Sequence, residues 1–324
     1  MLPRIAVLGC GNWGCNHIRT LKKIGALAAV SDADTNHAEK VAVKYNVVSI
    51  PVAQLFLQED IDAIVLALPP QFHAENAIQA LRNGKDVLVE KPIALNIKDA
   101  ECEIQIARAN RCIFMVGHVL RFHPVFETML DLVHSGELGE IRYIRCHRLG
   151  LGKFYTASDA LWDLAPHDIS MILALTGAEP SEVHGEGVAI LDQLADFSQL
   201  NMLFPNGLCS HLVTSRLNPY RERRLTVVGN RAMAVFDDMK NWQRKLAIYR
   251  FGCRQPNGHR QWSFADVEPE FISVEEGLAL TRELQHFLHC IRTRQEPRTN
   301  GEEALAVLRI LTKGSLNRDS LVEI

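Results

Sequence analysis

The feature that most constrains the fold is a glycine turn near the start of the chain. Ile5 to Leu8 form an apolar run, and Gly9-Cys10-Gly11-Asn12-Trp13-Gly14 then follows the pattern G-x-G-x-x-G at the head of an amphipathic stretch. In that strand, turn and helix setting each glycine has its own task. Gly9 permits the tight turn. Gly11 lets the backbone approach a pyrophosphate held by the helix N-terminus, and Gly14 lets helix and strand pack closely. A second apolar run, Leu27 to Ser31, leads into Asp32, eighteen residues beyond Gly14. That is close to the spacing at which a carboxylate bonds the adenosine ribose hydroxyls, and it would repel a 2′-phosphate, so NAD is expected over NADP.

The pattern continues beyond the turn. Further strands are expected at Val47 to Ile50, Ala63 to Ala67, Val87 to Val89 and Ile113 to Val116, with helices at Asn12 to Ile24, Thr35 to Tyr45, His73 to Asn83 and Asn96 to Ala109. Such alternation is that of a doubly wound parallel sheet of about six strands. After Gly117 the pattern changes. A helix over Pro124 to His134, a strand over Ile141 to Leu149 and a helix over Trp162 to Leu175 precede crowded strand signals. These fall at Val183 to Ile190, Phe197 to Phe204, Gly207 to Ser215, Arg224 to Val228, Ala232 to Phe236 and Leu246 to Tyr249, and strands in succession imply an antiparallel sheet. Helices return at Glu275 to Thr293 and Glu302 to Lys313. With 324 residues, more than one core is expected. We place a dinucleotide-binding Rossmann domain at 1–120 and a substrate-binding α+β domain at 121–324, with the carboxyl-terminal helix able to pack back on the first domain.

Two further clusters carry chemistry. Glu90-Lys91-Pro92 stands at the carboxyl end of the fifth expected strand, the edge at which open parallel sheets bind ligands. Pro92 biases Lys91 toward an extended backbone, from which its ammonium can project over the crevice; alone, Lys91 could equally be a surface residue paired with Glu90. Trp162-Asp163-Leu164-Ala165-Pro166-His167 puts Asp163 and His167 four residues apart, on one face of a helix, although Pro166 complicates a smooth one. An imidazole titrates near neutrality and suits removal of a hydroxyl proton, while a capping Asp and a packed His are the structural alternative.

Taken together, these residues resemble the Gfo/Idh/MocA oxidoreductases, which include glucose-fructose oxidoreductase and inositol dehydrogenase. The resemblance also takes in Gly117-His118-Val119-Leu120-Arg121-Phe122-His123-Pro124, Gly136-Glu137-Leu138-Gly139-Glu140-Ile141 and Glu283-Leu284-Gln285-His286-Phe287. It implies a second domain with a large open antiparallel sheet, and an active site lined by the lysine of Glu-Lys-Pro and the later Asp and His, here Lys91, Asp163 and His167. Within the family, the motifs around Arg121 and His167 are most similar to enzymes that oxidise the 3-hydroxyl of UDP-N-acetylglucosamine or its relatives. Residues 149–161 depart from the Gly-Pro-rich loop of those relatives. The expected cofactor set is Gly9, Gly11, Asn12, Trp13, Gly14, Asp32, Pro69, His73, Glu90 and Lys91. The expected substrate set is Lys91, Asp163, His167 and Arg148. Arg145 and His147 lie on the opposite strand face from Arg148, and either face could meet a diphosphate.

Composition narrows the partners. Lys plus Arg number 35 against 38 Asp plus Glu, a formal charge of -3, which argues against general binding to nucleic acid or an anionic membrane. No apolar run is long enough to span a bilayer, and Met1-Leu2-Pro3-Arg4 leads straight into the first strand, so a cytoplasmic location is expected. The eight cysteines are scattered without a Cys-x-x-Cys pair and are read as reduced, and no metal ligands are assigned. An open apolar sheet face would call for a homo-oligomer, dimer or tetramer.

Overall fold

A computed structural model of the protein describes residues 2–152, 158–191, 193–250, 252–254, 261–263 and 268–316. The chain divides into two compact units, 1–122 with 278–309, and 123–277 with 310–324.

In the first unit the elements run β1 (Ile5–Leu8), α1 (Asn12–Ile24), β2 (Leu27–Ser31), α2 (Thr35–Tyr45), β3 (Val48–Ser49), α3 (Val52–Leu55), β4 (Ala63–Leu66), α4 (His73–Arg82), β5 (Asp86–Glu90), α5 (Ile97–Ala109) and β6 (Phe114–Gly117). The strands form one parallel sheet in the order β3-β2-β1-β4-β5-β6, so the chain reverses direction across the sheet between β1 and β4. Strands β1, β4, β5 and β6 are buried along their whole length, as a sheet covered on both faces requires. Helices α2 and α5 start on side-chain caps: Asp34 accepts from the His37 N–H and Asn96 from the Asp99 N–H.

In the second unit follow α6 (Pro124–His134), β7 (Ile141–Leu151), α7 (Ala160–Thr176), β8 (Glu182–Val188), β9 (Phe197–Leu203), β10 (Cys209–Ser215), β11 (Leu217–Gly229), β12 (Ala232–Asp237), β13 (Leu246–Arg250), β14 (Gly252–Arg254), β15 (Gln261–Ser263) and β16 (Glu270–Phe271). Eight of these strands make one sheet in the order β16-β13-β12-β11-β7-β10-β9-β8. The sheet is mostly antiparallel, but β10 runs parallel to β7. The chain leaves β7 through α7 and returns by the β8 and β9 hairpin, and such a crossover is what a parallel neighbour needs. Strand β11 begins seven residues before the expected Arg224, at Leu217, because its ladder tolerates Pro219 within an irregularity between Leu217 and Glu222. Helix α7 runs through Pro166 and is capped by Asp159, which accepts from the Trp162 N–H.

Helices α8 (Ala279–Thr293) and α9 (Gly301–Leu316) close the chain. Leu284, Phe287 and Leu288 of α8 are buried in the core cluster that contains Ile5, Val7, Ile18 and Val65, and the Val116 N–H donates to the Thr299 carbonyl. Segment 278–309 therefore belongs to the first unit, and the remainder of α9 to the second. No helix among the described residues is long and apolar enough to cross a membrane.

Candidate active site

The glycine turn is shaped by close approach. Gly9 has φ +100°, and a Cβ there would lie 2.4 Å from the Ala67 carbonyl oxygen at the end of β4. A Cβ on Gly14 would lie 1.9 Å from the Gly9 oxygen. Gly11 differs, since its Cβ position opens into free space and no side chain caps the helix it begins. Free helical N–H groups facing an open surface at the sheet's reversal point fit an incoming pyrophosphate, so the residues present suit a dinucleotide.

Asp32 lies half-buried just past β2. One of its oxygens accepts from the Cys10 N–H at 2.6 Å and the other from the Asp34 N–H at 2.9 Å. The carboxylate thus braces the turn, and each oxygen keeps a second lone pair for a ligand hydroxyl. His37 on α2 also approaches the turn, its Nε2 3.0 Å from the Cys10 carbonyl. Burial, helped by Asp32 and Cys15, pushes the Cys10 thiol up to about 12, so it stays an inert thiol. Cys10, Cys15, Cys102, Cys112, Cys146, Cys209 and Cys290 are all free.

At the end of β5, Glu90 is buried and gathers donors from a different element. The Trp13 indole N–H of α1 donates to its Oε1, His17 Nε2 lies 2.7 Å from the same oxygen, and the Lys91 N–H donates to Oε2 at 3.3 Å. Burial works against the charge of Glu90. The His17 hydrogen bond and charge, the Trp13 bond and Lys91 outweigh it and hold the carboxyl below its ordinary range. A Cβ on Gly117 of β6 would come within 2.9 Å of that carboxylate, which explains a glycine there. His17 was not singled out from the sequence, and Gly117 entered only as the first residue of a motif that carries the resemblance. The available signal for His17 was its place four residues after Trp13 on one helix face.

Lys91 is half-buried and followed by a cis bond to Pro92. Beside it His118 is buried, and burial, then Arg121 and Lys91, lower its imidazole to about 3, so His118 is neutral. His73 is fully buried, with Nδ1 2.8 Å from the Pro92 carbonyl and Nε2 2.8 Å from the Leu68 carbonyl. Burial lowers the His73 imidazole below its ordinary value, and a neutral ring donates through one nitrogen only, so one of the two carbonyls takes its hydrogen bond. His73 was expected at the cofactor, and in the fold its ring nitrogens face these two protein carbonyls. Trp13 is 43% exposed, and Asn12 is exposed in the first turn of α1.

In the second unit, Asp163 and His167 lie in one continuous helix, α7, at the expected one-turn spacing, and both are half-buried. Arg148 departs from expectation. Its Nε and Nη2 donate to Asp168 Oδ2 and Oδ1 at 2.5 and 2.9 Å, and it is 9% exposed. A guanidinium clamped in two bonds by a buried carboxylate has those donors engaged within the protein. Arg145 and His147 lie on the opposite face, where the Arg145 Nε–H donates to His147 Nε2 at 2.7 Å and His147 Nδ1 is 3.1 Å from Glu222. Within residues 149–161, residues 153–157 lie outside the described residues.

Comparison with known proteins bears on the family and the fold. A family model described as an oxidoreductase family with NAD-binding Rossmann fold matches residues 3–118, and the GFO/IDH/MocA C-terminal domain matches 126–235. The UDP-N-acetylglucosamine 3-dehydrogenase of Acidithiobacillus ferrooxidans is 29% identical over 94% of either chain. Its solved structure superposes with a TM-score of 0.86 at 27% identity, covering 99% of both chains. The scyllo-inositol 2-dehydrogenase (NAD(+)) of Bacillus subtilis is 28% identical over 91% of this chain and 87% of its own. An inositol 2-dehydrogenase of Rhizobium meliloti is 24% identical over 95% and 94%.

Proposed function

Because the chain belongs to the Gfo/Idh/MocA oxidoreductase family, we propose that it oxidises the C3 hydroxyl of UDP-N-acetylglucosamine, or a close relative, to a 3-keto sugar nucleotide. The observation that carries this reading is the conjunction, in one chain, of the braced glycine turn, Lys91 at the end of β5 and the Asp163 and His167 pair on α7. Near full-length similarity to a dehydrogenase of that substrate supports it.

NAD, when bound, supplies the hydride acceptor. Gly11 and the open end of α1 would hold the pyrophosphate, and Asp32 would accept from the ribose hydroxyls and disfavour a 2′-phosphate. His167 takes the proton of the substrate hydroxyl as the carbon gives up its hydride, and Asp163 orients that imidazole. Lys91 stabilises the oxygen as negative charge develops on it. The C–H and O–H bonds of the alcohol break, and the C=O bond of the ketone forms. A homo-oligomer belongs to the same reading, formed through the sheet face on which Tyr143, Met233 and Tyr249 stand half-covered.

The test is incubation of UDP-N-acetylglucosamine with NAD in the presence of a carbonyl trap, since alcohol oxidation by NAD is uphill near neutral pH. NADH together with trapped 3-keto product is expected. Ready oxidation of inositol or a free hexose, with no product from the sugar nucleotide, would overturn the substrate and leave the family.

A further inference from the structure

One cavity of the second unit, of about 440 Å³, has Asp163 on its wall. Four arginines line the same space: Arg148, Arg216, Arg221 and Arg223. Strand register brings two of them face to face, since Arg223 of β11 pairs directly with Arg148 of β7. Like charges opposite each other in a sheet are unfavourable and need a reason. Asp168 answers for Arg148 through two hydrogen bonds, but no described carboxylate lies within ion-pair distance of Arg221 or Arg223. The irregularity between Leu217 and Glu222, with Pro219 inside it, frees this stretch of β11 from a regular ladder and aims Arg221 toward the cavity. Gly150 stands against Arg221, where an added Cβ would meet the arginine's Cγ at 3.5 Å.

We propose that Arg221 and Arg223 form the diphosphate subsite for a nucleoside diphosphate sugar, with the sugar directed toward Asp163. The inference rests on the sugar-nucleotide reading above and adds the residues that would select it. A cavity of a few hundred cubic ångströms suits such a ligand. Two planar guanidinium groups match the geometry of phosphate oxygens, and an anion between them would offset their mutual repulsion. The electrostatics agree in direction. Burial, then Arg148 and Arg221, pull Arg223 below the ordinary arginine range, opposed by Asp238 and Asp168, so a bound dianion would restore it.

Arg224 provides the internal control. It is the next residue on the same strand, points to the opposite face and pairs with Asp237 at 3.5 Å. Binding of UDP to the NAD-loaded protein is measured by calorimetry for wild type and for Arg221→Ala, Arg223→Ala and Arg224→Ala, with Arg223→Lys as the conservative variant should Arg223→Ala fail to fold. Each of the first two is expected to weaken UDP roughly tenfold or more, the scale of a lost charge-assisted bond, with Arg224→Ala within about twofold of wild type. Arg223→Lys is expected to bind less tightly than wild type, since an ammonium cannot replace the fork. NAD affinity stays unchanged in all of them. Unaltered UDP affinity in the Arg221 and Arg223 variants, an equal loss in Arg224→Ala, or no UDP binding by wild type would overturn the subsite. Turnover separates the two readings. Arginine-dependent UDP binding without oxidation of any UDP-sugar keeps the subsite and rejects the function. Oxidation of UDP-N-acetylglucosamine with KM indifferent to both arginines does the reverse.

Discussion

Asp32 does two jobs in this fold, because the carboxylate proposed to choose NAD also accepts the Cys10 and Asp34 N–H groups. Asp32→Ser is therefore expected to narrow the preference for NAD over NADP and also to weaken both cofactors by roughly tenfold through a loosened turn, the cost of a lost hydrogen bond to a charged group. Comparing kcat/KM for the two cofactors checks this, and a wild-type preference for NADP would reject the assignment. Lys91 and His167 behave differently, since neither supports the turn. Lys91→Ala and His167→Asn are expected to keep NAD affinity while turnover falls about a hundredfold or more, the usual scale for a lost acid or base. Near-normal turnover in both would remove them from the chemistry. Residues of this kind were legible in the sequence where their task is local, as with Gly9, Gly14 and the one-turn spacing of Asp163 and His167. His17 was not, and the task of Gly117 was not, because both answer to Glu90, a carboxylate distant in sequence whose neighbours only the folded sheet decides.

Among elements, the parallel sheet of the first unit was readable almost strand by strand, because buried parallel strands are continuous apolar runs bounded by caps and turns. In the second unit Pro219 hid the first half of β11, and the parallel β7 and β10 pairing could not be read from strands that merely follow one another. The same register accounts for the reassignment of Arg148. On sequence it was an arginine beside a variable loop; in the fold, β7 carries it under α7, where Asp168 holds it. That bond ties strand to helix at the residue next to His167. Asp168→Ala leaves a buried guanidinium beside Arg223 and is expected to destabilise the protein by about 3 kcal/mol or more, while Arg148→Ala combined with Asp168→Ala recovers part of the loss. Urea denaturation of the single and double variants measures it, and additive losses would mean that the pair is not coupled.

For the molecule as a whole, resistance to unfolding carries a pH signature set by carboxyl groups that gain no partner on folding. Glu103 of α5 and Glu283 of α8 are fully buried, and no described group hydrogen-bonds their oxygens. Packing against neighbouring elements encloses both. Burial, with Asp99 adding to it, raises Glu103 from 4.5 to about 9, and burial, with Glu90 adding to it, raises Glu283 well above its ordinary value. The folded protein therefore keeps protons that the unfolded chain releases above pH 4.5. Over that interval the unfolded state binds fewer protons than the native state, so this contribution is whole below pH 4.5 and is lost as pH rises toward about 9. Glu103→Met replaces the acid with an apolar side chain of similar length and removes its share of the slope. Its thermal midpoint is expected to exceed that of wild type by a margin that widens from pH 5 to pH 8, roughly 2–4 °C for each kcal/mol gained. A margin that does not change with pH would mean that the Glu103 carboxyl ionises inside the fold, with a cation or water supplying its partner.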